Sequence, residues 1–180
     1  MVRGFSLIEL LVAVVIVGVI ANASIPLFGQ TIHRNRTKGL VTELEWFLIA
    51  AKSEAIARNQ ILTVHYVRND ENYTHYQPDG EWVIVLVTQQ SSEEVIDIAS
   101  AQSNAITLLK GEKFKGIDFK IGHVSFQKFD IEPIRGSSNR SGSYWIQHNS
   151  EQQVKVMMNL GTGRIRICGY SGSYLGYRRC

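Results

Sequence analysis

The chain has 180 residues, 44% of them hydrophobic and 19% charged, with a net charge of +3. Setting aside an apolar N-terminal run leaves about 150 residues, room for one domain with its own core and too little for several. Neither of the two cysteines, Cys168 and Cys180, sits in a CxxC, which argues against a metal or redox centre. The charge is unevenly spread: residues 1–132 carry a balance of −3, and residues 133–180 a balance of +6 from Arg135, Arg140, Lys155, Arg164, Arg166, Arg178 and Arg179 against Glu151 alone. Such asymmetry suggests a polyanionic partner or a basic contact surface.

The chain opens with a very short leader, MVRG, and then an apolar stretch interrupted by Glu9. A secretory signal has its apolar core before the cleavage site. Here the candidate junction, Gly4–Phe5, precedes the run, so cleavage would leave the run on the mature protein. Residues 5–25 would form about 30 Å of helix, enough to cross a bilayer core. A carboxylate in that setting costs roughly 2.5–3.5 kcal/mol, so Glu9 needs a neutralising partner.

Pro26 should kink the helix, because proline removes a backbone donor and clashes with the preceding turn. Beyond Gly39, residues Leu40, Val41, Leu44, Phe47, Leu48, Ala51 and Ala55 repeat at helical spacing and predict one buried stripe, ending near Asn59. After Gln60 the period changes. Residues 61–67 and 82–88 read as strands, with a turn at 70–72, a short strand at 73–77 and a strong turn at Pro78-Asp79-Gly80. Residues 89–94 are polar. Residues 95–98, 105–109 and 117–121 read as weaker strands. Residues 124–129 and 143–148 flank a Gly/Ser/Asn/Arg loop at 136–142. Residues 154–159 and 164–168 form a candidate hairpin around Leu160-Gly161-Thr162-Gly163. A long N-terminal helix followed by many short strands predicts an α+β fold with an antiparallel sheet packed on the helix. There is no internal repeat and no long linker.

Catalytic signals are poor. The five histidines are dispersed, and there is no HExxH, GxSxG or P-loop lysine. Carboxylate pairs such as Asp70/Glu71 and Glu93/Glu94 lie in polar turns and read as solvated. No enzyme activity, cofactor or metal is expected.

Gly4, Phe5, Leu7, Ile8, Glu9, Leu10, Leu11 and Pro26 resemble the start of type IV pilins and pseudopilins. The resemblance implies cutting after Gly4 by a prepilin peptidase, methylation of Phe5, and pairing of Glu9 with the amine of a neighbouring subunit during assembly. Residues 50–59, Asp79-Gly80-Glu81-Trp82, Val124-Ser125-Phe126, Arg135-Gly136, Gly142-Ser143-Tyr144 and the closing Gly161-Thr162-Gly163-Arg164-Ile165-Arg166 resemble the FimT/GspH subfamily of minor pilins. The implied organisation is a leader at 1–4, a transmembrane and assembly helix at 5–28, and a periplasmic domain at 29–180. That domain would be helical to residue 59 and β-rich from 60. The implied localisation is the inner membrane and then an extracellular pilus, with other pilin subunits as partners. For an exported domain, a Cys168–Cys180 disulfide is the default expectation.

The informative site is Gly163-Arg164-Ile165-Arg166. On a strand Arg164 and Arg166 share a face, about 7 Å apart, while Ile165 turns to the core. Arginine suits phosphate because its planar fork donates two parallel hydrogen bonds. Gly161 and Gly163 would let the turn approach a ligand backbone closely. A disulfide would bring Arg178 and Arg179 beside this strand. In the FimT branch a closing GRxR motif is associated with binding double-stranded DNA for natural transformation, and Gly163, Arg164 and Arg166 match it. Two other readings stand beside that one: the arginines pair with acids on an adjacent strand, or they contact a neighbouring pilin. In the FimU/GspH branch the role is structural, in assembly of a pilus or type II secretion pseudopilus.

Overall fold

The computed structural model describes residues 6–70 and 72–180, without the side chains of 21–28 and 30. Gly4, Phe5 and the Glu71 part of the 70–72 turn lie outside the described residues. The chain divides into two compact units, up to Asn35 and from Arg36 to Cys180. Helix α1, Leu7–Arg58, contributes to both.

In the first unit α1 begins one residue after Ser6, and its apolar side chains from Leu7 to Ile20 are exposed. The helix continues through Pro26, whose side chain lies outside the described set, as does the kink expected of it. Among the described residues, no helix is long and apolar enough to cross a membrane.

In the second unit the buried face of α1 is the stripe read from the sequence: Leu40, Val41, Leu44, Phe47, Leu48, Ala51 and Ala55 are all buried. A buried leucine contributes roughly 1.5–3 kcal/mol relative to an exposed one, so this stripe holds the helix against the sheets. The helix stops at a Schellman-type cap. Asn59 takes φ 51°, its N–H donates to the Ile56 carbonyl, and the Gln60 N–H donates to that of Ala55.

Eight strands follow: β1 Leu62–Arg68, β2 Trp82–Thr88, β3 Thr107–Lys110, β4 Asp118–Ile121, β5 Lys128–Ile131, β6 Gly142–Asn149, β7 Gln152–Met158 and β8 Ile165–Gly169. They form two antiparallel four-stranded sheets rather than one, in the orders β3-β2-β1-β5 and β4-β6-β7-β8. The inner faces of both sheets share one core with α1, centred on rings such as Trp82 stacked on Phe119 at 4.3 Å.

Three local expectations are corrected. Residues 73–77 are a turn with a single bridge, Gln77 to Phe119, because the segment is too short and polar to extend a ladder. The 124–129 strand begins late: Val124–Phe126 is a 3₁₀ turn capped by the His123 ring, and β5 starts at Lys128. The strand at 95–98 is replaced by helix α2, Ile98–Ser103. The Asp97 carboxylate accepts from the Ser100 N–H at 2.7 Å, and the Ser100 hydroxyl accepts from the Asp97 N–H, a capping box that starts the helix. α2 covers the second face of the first sheet, where Val67, Val83, Val85 and Val87 pack with Val95 and Ala101.

Candidate nucleic-acid interface

The β7–β8 hairpin carries the GRxR segment. Met158 pairs with Ile165, Met157 with Arg166 and Lys155 with Cys168. Ile165 and Ile167 pack against the core, so Arg166 is exposed on the opposite face of the edge strand, and Arg164 is exposed just before the strand begins. The Arg166 Nη2 donates to the Cys180 carbonyl at 3.4 Å, a weak tie to the C-terminal tail.

Gly163 has a different part. It is buried at φ 57°, and a Cβ there would run into the carbonyl oxygen of Gly136. Its own carbonyl accepts from Lys52 Nζ on α1 at 2.9 Å. The close approach that this glycine permits is thus filled by the chain's own backbone. Gly161, at φ 73°, donates its N–H to the Ser138 carbonyl at 2.9 Å and is otherwise open. The turn is anchored to the 136–138 loop and to α1, and it fixes where β8 begins.

The tail returns to β8. Cys168 and Cys180 are joined, with their Cα atoms 5.0 Å apart. The Gly169 N–H donates to the Arg178 carbonyl at 2.8 Å, and the Cys180 N–H donates to the Gly169 carbonyl at 2.9 Å. Arg178 and Arg179 are therefore laid along the end of β8, both exposed. Tyr174 is buried and Tyr177 half-buried against the core, while Tyr170 is 52% exposed.

Among the described residues, the ion pairs join Arg58 to Glu54, Arg68 to Asp70 and Asp79, Lys113 to Glu43, and Lys128 to Glu93. None involves a lysine or arginine beyond residue 133. The acid-pairing alternative for Arg164 and Arg166 is thereby corrected: no carboxylate on the neighbouring strand reaches them. Arg68 shows the contrasting case. Its buried guanidinium donates to Asp79 at 2.6 Å and Asp70 at 2.7 Å. Burial opposes its charge, but the two carboxylates overcome that and hold it firmly protonated.

Glu9 lies exposed in the first turn of α1. Among the described residues, no group of three His, Cys, Asp or Glu side chains is placed to hold a metal ion. His65 is, like Arg68, a buried titratable group that sequence reasoning missed. Burial, with Lys128 nearby, pushes its imidazole down to about 4, against a smaller opposing pull from Glu93.

Residues 1–21 match the prokaryotic N-terminal methylation motif. No curated protein matches the sequence. Two crystal structures of the type IV minor pilin FimU from Pseudomonas aeruginosa are similar in fold. One, in space group P21, is 14% identical with a TM-score of 0.51, covering 74% of this chain and 89% of that one. The other, in P65, is 12% identical with a TM-score of 0.49, covering 72% and 90%. The chain thus begins with the prokaryotic N-terminal methylation motif and carries behind it a fold similar to that of the minor pilin FimU.

Proposed function

We propose that this minor pilin binds double-stranded DNA through its phosphates, without sequence preference, for uptake in natural transformation. The observation that carries the reading is the exposed Arg166 on edge strand β8 and Arg164 just before it, with Arg178 and Arg179 laid beside them and, among the described residues, no ion pair from any of the four to an Asp or Glu. Exposed guanidiniums held by no more than the weak Arg166–Cys180 contact are available to phosphate, and their binding energy comes largely from counterion release. Gly163 serves the site by holding the turn, not by contacting the ligand.

The start of the chain supports an assembly role in the same protein. Prepilin peptidase would cut between Gly4 and Phe5, leaving residues 5–28 to anchor the subunit in the inner membrane before it enters the filament. The exposed apolar side chains from Leu7 to Ile20 need lipid or neighbouring subunits to cover them, and Glu9 among them fits pairing with a neighbour's amine. Intact mass of the mature protein should lack residues 1–4 and carry an added methyl group; a mature chain beginning at Met1 would contradict this. That same exposed surface favours the second reading, a structural subunit that primes or caps a pilus or a type II secretion pseudopilus.

Strains separate the two readings. Arg164→Gln with Arg166→Gln should lose transformation and keep filaments, whereas Glu9→Ala should enter filaments poorly. Loss of filaments with the arginine variant would favour the structural subunit.

A further inference from the structure

The outer face of the second sheet holds a cluster that the GRxR site does not use. Trp145 on β6 is the cross-strand partner of Lys120 on β4 on one side and of Lys155 on β7 on the other. The Lys155 ammonium stands 4.8 Å from the centre of the Trp145 ring and that of Lys120 5.7 Å. Lys120 also lies 4.3 Å over the ring of Tyr76. Tyr170 stands edge-on to Trp145 at 4.7 Å and keeps half its surface open. The Trp145 Nε1–H donates to the buried hydroxyl of Ser143, two residues back on the same face, at 2.9 Å, so its polar edge has no need of water. The ring lies outside the core as an apolar support with ammonium groups held over it.

This face is continuous with the arginine edge. Arg166 lies opposite Met157 on β7, and Lys155 is two residues along on the same side. From β8 to β4 the face spans three strand spacings, about 14 Å. Asp118, on β4, is the carboxylate that shares this side, opposite Gln147. Burial, with Asp118 and Tyr170 nearby, pushes the Tyr76 phenol up to about 12, so the ring stays neutral.

Resting on the DNA reading above, we propose that this face is a platform for unpaired bases: Tyr170, backed by Trp145, stacks on a base while Lys155 and Lys120 take the flanking phosphates. A duplex hides its base faces within its own stack, so duplex phosphates need only the arginines. An exposed ring set against a tryptophan that two lysines flank suits a strand whose bases are free. The chain should therefore hold single-stranded segments or frayed ends by contacts that a closed duplex does not engage.

The test uses the full chain in neutral detergent, a labelled oligo-dT strand and a blunt duplex of equal length. Tyr170→Leu should weaken oligo-dT binding by about five-fold or more and leave duplex binding unchanged, while Tyr170→Phe keeps both. Lys120→Gln with Lys155→Gln should reduce the oligo-dT salt slope by about 1.4, at about 0.7 per phosphate. Oligo-dT binding untouched by Tyr170→Leu, or equal losses on both DNAs, would overturn the platform and leave the arginine site standing. A wild-type chain that binds the duplex but not oligo-dT would overturn it in the same way. A wild-type chain that binds neither DNA at low salt would remove the DNA reading itself.

Discussion

Within the GRxR segment, neighbouring residues do unlike work. Gly163 is buried where a side chain would meet the Gly136 backbone, at a φ that L-residues rarely adopt. Gly163→Ala should cost about 1–3 kcal/mol, read as a lower melting temperature. Arg164→Gln should shift stability by no more than about 1 kcal/mol, since its charge is exposed. Equal stability of the alanine variant and the wild type would refute the packing role of Gly163. The alternation that sends Arg164 and Arg166 outward was legible in the sequence, because a strand's period of two follows from its pleat. The packing of Gly163 was not, because its neighbour lies 27 residues away in the chain. His65 makes a second residue-scale case. Its folded pKa, about 4, lies below the ordinary value of 6.5, so protons bind the unfolded chain more readily. Stability should therefore fall as pH drops from about 6.5 toward 4, by a total on the order of 3 kcal/mol. Asp70 and Asp79 are held below the usual range and weaken the fold only at lower pH. Urea midpoints at pH 7.5 and 5 should differ less in His65→Leu than in the wild type; an unchanged difference would clear His65 of the effect.

Among the elements, those set by a strong period were readable and those set by tertiary demand were not. The α1 stripe, β2 and the β7–β8 hairpin follow from helical spacing, a Val/Ile/Leu run and a Gly-Thr-Gly turn. The continuous burial of β1 and β2 carried a further message. Strands buried along their whole length are covered on both faces, although β1 carries Thr63, His65 and Arg68 among its buried residues. α1 and the second sheet supply one cover; α2, only six residues long, supplies the other. The signal for it was Asp97 three residues before Ser100, a weak cue beside Val95 and Ile96, which favour a strand. The two-sheet arrangement was also hidden, because pairing partners such as β1 and β5 lie some 60 residues apart and no local pattern names them. The tail was legible only in part. Two cysteines announced a closed loop, but the main-chain bonds from Gly169 that lay Arg178 and Arg179 along β8 follow from three-dimensional placement.

For the whole molecule, the division of labour follows the charge. In the proposed account the apolar, exposed N-terminal helix bearing Glu9 serves assembly, and the last 48 residues hold a balance of +6, with five of their seven cations on the second sheet, its hairpin and its tail. Among the described residues none of these cations forms an ion pair with an Asp or Glu, which suits the proposed polyanionic partner. The most direct measurement is duplex affinity of the full chain against salt concentration. Arg164→Gln with Arg166→Gln should weaken binding to unrelated duplexes alike and flatten the slope of log affinity against log salt by about two. A folded double variant that binds with the wild-type affinity and slope would contradict the account.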